Sequence, residues 1–193
     1  MLNTRVVDDF LTQEEVSLFL DFSKSSNMWT DGDITKTGGD FWSGRLIAAP
    51  HMPIELAVKM IQIKDRLDVL IEHEYGVKYY CDQICLNRWF DGMEQDFHSD
   101  DMKGFTGHED FTWFHHRELS CIIYLNDDFE GGLTHYKNFP DSAVTPKPGR
   151  VAIHPGDLEH LHGVSKISGN TRYTMPSFWG TDPAFNTPYD KFR

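Results

Sequence analysis

The sequence lacks a hydrophobic run of membrane-spanning length, an even number of cysteines and an excess of positive charge. Its longest apolar run, residues 121–125, is far shorter than the roughly 20 residues that a helix needs to cross a bilayer. Residues 1–9 hold no apolar stretch of signal-peptide length and include two acidic residues. We therefore expect a folded protein without a membrane anchor or an N-terminal targeting segment.

The cysteines do not form a disulfide framework or a zinc motif. There are 3 of them, an odd number. Cys81 and Cys85 lie on one face of a predicted strand at a spacing of about 13 Å, which is beyond disulfide reach. A C-x3-C pair without a second cysteine pair is not a structural zinc site. We expect the cysteines to fill the core of a protein from a reducing, cytoplasmic compartment.

Negative charge dominates the chain. Lysine and arginine, 18 together, are outnumbered by 30 aspartate and glutamate residues, and the net charge is −12. This charge has the wrong sign for a phosphate backbone or an anionic membrane, so neither nucleic acid nor membrane is expected as a partner. Hydrophobic residues make up 39% of the 193 residues, enough for the core of one domain that covers residues 1–193.

Two helices are predicted in the first part of the chain. Thr12 and Glu15 form a capping box ahead of apolar residues at helical spacing, which predicts a helix over residues 12–25. Pro53 opens a longer apolar segment at the same spacing, and Gly76 stands where a C-terminal cap is expected. Residues 28–50 are rich in Gly, Asp and Thr and predict an irregular strand and loops. Helical support is thus expected over about residues 9–76.

The helical period disappears after residue 78, and short extended runs separated by turn residues take its place. Six strands are predicted, over residues 79–90, 119–125, 133–136, 150–154, 160–166 and 172–179. Strands at this spacing without intervening helices favour an antiparallel sandwich or barrel, with the two helices on one outer face. The expected fold class is mainly β (α+β), with a catalytic β core over about residues 77–180.

A metal-binding pattern lies in this β region. His98 and Asp100 are expected at the end of the strand that begins near residue 79, two apart and therefore on one face. If the turn at Gly169 joins two paired strands, Arg172 lies opposite Lys166, on the same face as His162 and about 13 Å from it. Two histidines and a carboxylate form the facial triad of non-haem Fe(II) oxygenases. A single buried histidine on a strand is more often a core residue than a metal ligand, and His160 is the nearest alternative to His162.

Several motifs occur in a fixed order along the chain: His98-Ser99-Asp100, Tyr124-Leu125-Asn126-Asp127, Gly131-Gly132-Leu133-Thr134, Pro148-Gly149, His162-Gly163-Val164 and Gly169-Asn170-Thr171-Arg172-Tyr173. With the opening Asp9-Phe10-Leu11, this order resembles the Fe(II)- and 2-oxoglutarate-dependent dioxygenases, and more closely their prolyl 4-hydroxylase branch. The resemblance extends over about residues 9–180. It implies a double-stranded β-helix, or jelly-roll, core buttressed by N-terminal helices.

The resemblance also implies roles for individual residues. His98, Asp100 and His162 would hold Fe(II) and form the catalytic centre, and Arg172, ten positions after His162, would bind the far carboxylate of 2-oxoglutarate. Two further residues, Tyr124 and Thr134, would assist at the cosubstrate. The family often has tyrosine nine positions before the first histidine, where this chain has Trp89.

The function implied by the resemblance is hydroxylation of a C–H bond with Fe(II), 2-oxoglutarate and O2, ascorbate as reductant, and release of succinate and CO2. The expected substrate is a prolyl residue of a peptide or protein. A hydroxylase of a small molecule or free amino acid is the main alternative. A binding protein of this fold would lack a metal ligand, and a nucleic-acid demethylase usually has a second arginine where this chain has Phe178.

The segment of residues 101–117 is polar, yet it carries four aromatic residues and three histidines. A loop of this length in a compact domain is usually functional. We expect its aromatic residues, Phe105, Phe111, Trp113 and Phe114, to fold over a bound peptide as a lid.

Overall fold

The structure is a computed structural model that describes residues 4–30, 40–102 and 114–189. Within these ranges, no helix is both long and apolar enough to cross a membrane.

The first helix, α1 (Gln13–Ser25), begins as its sequence predicts. The Glu15 backbone N–H donates to Thr12 Oγ1 at 3.2 Å, and the Thr12 backbone N–H donates to Glu15 Oε2 at 3.1 Å. This reciprocal pair satisfies two N–H groups that would otherwise lack a partner at the helix start. The capping box is therefore confirmed.

The second helix, α2 (Ile54–Tyr75), follows Pro53 and ends at Gly76, whose φ of 68° places it in the left-handed region. Its buried face packs against the outer face of a β-sheet and joins one large hydrophobic core with the apolar residues of α1. The prediction that two N-terminal helices buttress the β region is confirmed.

Twelve strands occur in the described residues. They are β1 (Arg5–Val7), β2 (Leu46–Ala48), β3 (Tyr80–Trp89), β4 (Gln95–His98), β5 (Leu119–Tyr124), β6 (Phe129–Glu130), β7 (Thr134–Tyr136), β8 (Phe139–Val144), β9 (Val151–Pro155), β10 (His162–Val164), β11 (Ser168–Gly169) and β12 (Arg172–Gly180). One sheet has the order β1-β9-β5-β12-β3-β2, a second has the order β4-β10-β7-β8, and β11 pairs with β6. All of the pairings are antiparallel. Short 3₁₀ turns lie at Asp40–Trp42, Ala49–His51 and Pro183–Phe185.

The chain changes sheets between β3 and β4, which differs from the expectation of one strand running toward His98. β3 belongs to the six-stranded sheet and β4 to the four-stranded sheet. Gly92, with φ of 79°, lies in the turn between them. The N-terminal part also contributes more than helices, because β1 pairs with β9 and β2 pairs with β3.

The turn at Gly131 and Gly132 requires glycine for steric reasons. Both residues have positive φ, and a Cβ on Gly131 would lie 1.9 Å from the Lys166 backbone oxygen. We expect Gly131→Ala to lower the free energy of unfolding by more than about 2 kcal/mol, measured by chemical denaturation. Gly92→Ala is the matched control, because its φ is also positive but nothing lies within 4 Å of the added Cβ. Equal losses in the two variants would contradict the steric explanation.

Candidate active site

A cavity of about 320 Å³ lies between the two large sheets. It is lined by inward-facing residues of β3, β5 and β12 from one sheet and of β4, β7 and β10 from the other. His98, Asp100, His162, Thr134, Arg172 and Trp89 all line it. The structure therefore brings residues that are far apart in sequence to one pocket.

Two histidines face each other across a strand pair. His98 at the end of β4 is the direct partner of His162 at the start of β10. Their ring centroids are 4.5 Å apart. Asp100 lies two residues beyond His98, past the end of the strand, with Oδ2 3.3 Å from His162 Nε2 and Oδ1 3.7 Å from His98 Nε2. Each of the three residues offers one ligand atom, and these three atoms lie within 4.8 Å of one another.

Backbone carbonyl groups orient both imidazoles. His98 Nδ1 lies 3.0 Å from the Asp96 carbonyl oxygen, and His162 Nδ1 lies 3.2 Å from the His160 carbonyl oxygen. A carbonyl can only accept, so each Nδ1 carries a hydrogen, and each Nε2 is the nitrogen that faces Asp100. Such bonds to the second ring nitrogen are typical of metal-ligating histidines.

The carboxylate of Asp100 is ionised and held in place. Burial opposes its ionisation, but the positive charge and the hydrogen bonds of the His162 and His98 rings, when these are protonated, outweigh that effect and keep the pKa of Asp100 well below its usual range. The Ser120 hydroxyl on β5 donates to Oδ2. The sequence interpretation missed Ser120, although the strand period of two that places Tyr124 on the inner face of β5 also places Ser120 there.

The donor set fits a divalent iron. Two imidazole nitrogens and one carboxylate oxygen converge, with no thiolate among them, and three ligands leave positions for other molecules. His160 does not converge with them, because its Nδ1 lies 2.7 Å from Asp157 Oδ1. Among the described residues, His98, Asp100 and His162 are the one group of this kind with metal-binding geometry.

A further histidine, His154 on β9, is fully buried behind the triad. Its ring lies 4.2 Å from that of His162 in an edge-to-face arrangement. Burial, together with the neighbouring His162, lowers the pKa of His154 to about 3, so its ring is neutral. His154 therefore packs against a candidate ligand without adding charge.

Arg172 lies at another part of the cavity with 1% of its surface exposed. Its guanidinium carbon is 5.4 Å from the centroid of the Tyr124 ring and 5.6 Å from that of Trp89. Nε and one terminal nitrogen are buried without a hydrogen-bond partner. An uncompensated buried guanidinium is costly, and its planar set of donors matches a carboxylate. The site therefore fits the far carboxylate of 2-oxoglutarate.

Tyr124 and Thr134 lie beside Arg172 as the resemblance implies. The Tyr124 hydroxyl and Thr134 Oγ1 are 2.8 Å apart, and both side chains are buried. A Cβ on Gly132 would lie 3.0 Å from Arg172 Cδ and 2.7 Å from the Phe129 ring, so the turn at Gly132 leaves room for the arginine side chain. Trp89, which stands where the family often has tyrosine, is buried with an unpartnered indole N–H.

The predicted pairing of Lys166 with Arg172 is wrong. β12 pairs with β3 and β5, where Arg172 lies opposite Trp89, whereas His162 in β10 pairs with His98 and Tyr136. The turn at Gly169 belongs to the short pair β11-β6. Arg172 and His162 reach the same cavity from opposite sheets, not along one strand pair.

An aromatic and cationic group lines the cavity near Asp82. The guanidinium carbon of Arg117 is 4.0 Å from the ring centroids of both Phe114 and Phe178. Asp82 and Gln83 accept hydrogen bonds from the Arg117 side chain. The sequence interpretation placed Arg117 only as the end of a loop. This group forms the candidate substrate wall of the cavity.

The predicted lid lies largely outside the described residues. Phe105, Phe111 and Trp113 are among the residues that the structure does not describe, and so is His108. Of the loop aromatics, Phe114 is described and lines the cavity. Closure of this segment over a peptide stays a prediction.

Comparison with known proteins gives a family for the β region. Residues 86–180 match the 2OG-Fe(II) oxygenase superfamily. The matched range contains every residue proposed above to bind metal or cosubstrate.

Among curated proteins, the chain is similar to prolyl 3-hydroxylases. It is 32% identical over 73 residues to prolyl 3-hydroxylase 2 of Homo sapiens and 31% identical over 71 residues to prolyl 3-hydroxylase 1 of the same species. These stretches cover 36% and 35% of this chain but 10% of each relative. The matched region is thus about a tenth of the length of those proteins.

Two solved structures share the fold. A viral collagen prolyl hydroxylase from Paramecium bursaria Chlorella virus-1, in complex with 2OG, has a TM-score of 0.64 at 16% identity, covering 93% of this chain and 96% of that one. A prolyl-4-hydroxylase of Pseudomonas putida has a TM-score of 0.63 at 14% identity, covering 94% of each. The likeness confirms the double-stranded β-helix fold.

Proposed function

We propose that the chain is a 2OG-Fe(II) oxygenase, the superfamily whose model matches residues 86–180, and that it hydroxylates a prolyl residue of a peptide or protein. The observation that carries the proposal is the presence in one cavity of His98, Asp100, His162 and Arg172, which has two buried nitrogens without a hydrogen-bond partner. Bound Fe(II) and 2-oxoglutarate together supply the activation of O2 and the oxidation of an unactivated C–H bond, with release of succinate and CO2.

The residues of the chain bind and orient these groups. His98, Asp100 and His162 would hold the iron, with the Asp96 and His160 carbonyl groups fixing the imidazoles. Arg172 would receive the far carboxylate, assisted by the Tyr124 and Thr134 hydroxyls beside it. The apolar side chains that line most of the pocket exclude water from the reacting centre.

The substrate would enter along the wall formed by Phe114, Arg117 and Phe178. Two aromatic rings and the flat guanidinium between them suit a compact apolar ring such as proline. The net charge of −12 disfavours a polyanionic substrate. Prolyl 3-hydroxylases among the relatives and a prolyl-4-hydroxylase among the structures support a prolyl substrate. Carbons 3 and 4 of the proline ring are therefore the two candidate positions for hydroxylation.

The test is turnover with proline-containing peptides. The protein is supplied with Fe(II), 2-oxoglutarate, O2 and ascorbate as the proposed reductant, and succinate is measured together with the mass of the peptide. We expect succinate to rise severalfold with a proline-containing peptide and the peptide to gain one oxygen. The same peptide with alanine in place of proline is the control. Amino-acid analysis of the product then distinguishes 3-hydroxyproline from 4-hydroxyproline.

A hydroxylase of small molecules is the alternative result of the same experiment. Stimulation of succinate formation by free L-proline at least as strong as that by the peptide would contradict a peptide substrate. Succinate formation without dependence on any proline compound would contradict the prolyl assignment while leaving the dioxygenase class intact.

A further inference from the structure

A second buried arginine, Arg45, lies beside the candidate cosubstrate site. It directly precedes β2 and has 1% of its surface exposed. Its guanidinium carbon lies 4.1 Å from the ring centroid of Trp89, 4.5 Å from that of Phe41 and 4.6 Å from that of Trp42. Three aromatic rings therefore enclose this cation.

The Arg45 side chain is fixed by backbone carbonyl groups. Nε donates to the Arg88 carbonyl oxygen at 2.9 Å, and Nη1 donates to the Phe41 carbonyl oxygen at 2.6 Å. Nη2 is buried and has no partner. Because the guanidinium fork is planar, two fixed nitrogens also fix the plane that faces the Trp89 ring.

Trp89 connects Arg45 with Arg172. The indole is in contact range of both guanidinium groups, and Trp89 is the direct strand partner of Arg172. No carboxylate of the described residues forms an ion pair with either arginine. Burial, with a contribution from the charge of Arg172, lowers the pKa of Arg45 to about 10, so both side chains remain cationic at neutral pH.

Two buried cations without an anion are unfavourable until a negative charge arrives. A dicarboxylate bound at Arg172 would supply that charge beside the Trp89 ring, which both guanidinium groups approach. Resting on the function proposed above, we propose that Arg45 is a positioning residue for 2-oxoglutarate. It holds the Trp89 ring next to Arg172 and adds a second positive charge near the site of the far carboxylate.

The experiment measures 2-oxoglutarate binding by calorimetry, with Mn(II) in place of Fe(II) so that no turnover occurs. Arg45→Met is expected to raise the Kd for 2-oxoglutarate about tenfold, because one positive charge near the far carboxylate is lost, while the Kd for Mn(II) changes less than twofold. The rise in melting temperature caused by 2-oxoglutarate is expected to be smaller in Arg45→Met than in the wild type. Arg45→Lys keeps the charge but loses the planar fork, so its Kd for 2-oxoglutarate is expected to lie between that of the wild type and that of Arg45→Met.

Arg88→Met is the matched control. Arg88 also stacks on aromatic rings, at 4.4 Å from Trp29 and 4.9 Å from Phe90, but it follows Asn87 and precedes Trp89 and so faces away from the cavity. Its substitution keeps the backbone carbonyl that Arg45 needs. We expect Arg88→Met to leave the Kd for 2-oxoglutarate within twofold of the wild-type value.

A double variant separates positioning from general damage to the fold. In an Arg172→Met background, Arg45→Met is expected to add less than a twofold further loss, because the carboxylate is no longer placed beside Trp89. A wild-type Kd in both Arg45 variants, or an equal tenfold loss in the Arg172→Met background, would overturn the inference. Absence of 2-oxoglutarate binding by the wild-type protein would instead overturn the proposed function, and the inference with it.

Discussion

Alanine at position 98, 100 or 162 is expected to abolish Fe(II)-dependent formation of succinate, with a loss of roughly 100-fold or more in each case. His98, Asp100 and His162 each contribute one donor to a group that spans less than 4.8 Å. Substitution of residues that only orient a metal ligand commonly lowers metal affinity or activity 10- to 100-fold, so loss of a ligand itself is expected to lower them at least as much. Succinate formation and Mn(II) binding by calorimetry are the two measurements, and both are expected to fail together.

His160→Ala is the control for these variants. The His160 side chain pairs with Asp157, and its contribution to the site is a backbone carbonyl that alanine retains. We expect near-normal succinate formation. Activity in His162→Ala combined with a loss in His160→Ala would show that the wrong histidine had been assigned to the metal.

Local signals in the sequence were sufficient for both helices and for most of the strands. The capping box at Thr12 and the left-handed cap at Gly76 act within one turn of chain, so the ends of α1 and α2 follow from neighbouring residues. Five strands were not predicted as separate strands: β1, β4, β6, β8 and β11. β1 is only three residues long, and β8 contains Pro140 and lies at the edge of its sheet, where a missing backbone donor is tolerated.

Strand pairing was not predictable from local spacing. The turn at Gly169 suggested that His162 and Arg172 lie on adjacent strands, but the chain between them forms β11, which pairs with β6, and β12 then joins the other sheet. Turn residues indicate where the chain reverses direction, but they do not indicate which distant strand the next strand will pair with. The candidate metal ligands and Arg172 were proposed from motif order, which is independent of that pairing.

Arg45 and Arg117 show a second reason for missed residues. Each gains its position from aromatic rings contributed by distant segments, such as Trp89 for Arg45 and Phe178 for Arg117. An arginine in a glycine- and aspartate-rich stretch has no periodic pattern that would mark it as buried. Only the packed structure distinguishes it from a solvated surface cation.

Substitution of Arg172 is the second change with a large expected effect. Arg172→Met retains most of the side-chain length next to Gly132 but removes the donors that would bind the far carboxylate of 2-oxoglutarate. Hydrogen bonds to charged groups contribute about 1.5–3 kcal/mol each, so loss of a bidentate pair is expected to raise the Kd for 2-oxoglutarate roughly 100-fold or more. Mn(II) binding is expected to be unchanged, because no metal-binding atom is altered.

The same substitution is expected to act in the opposite direction on stability. Without 2-oxoglutarate, Arg172 is a buried cation with two unpartnered nitrogens, and burial already lowers its pKa. Replacing such a group with an apolar side chain of similar length is often neutral or stabilising. Without 2-oxoglutarate, we therefore expect the melting temperature of Arg172→Met to equal or exceed that of the wild type. At saturating 2-oxoglutarate we expect it to fall below that of the wild type, since ligand binding stabilises only the protein that binds.

Thr134→Val, which removes one neighbouring hydroxyl and no charge, is the control and is expected to weaken 2-oxoglutarate binding less than tenfold. Wild-type affinity in Arg172→Met would show that the far carboxylate binds elsewhere in the cavity.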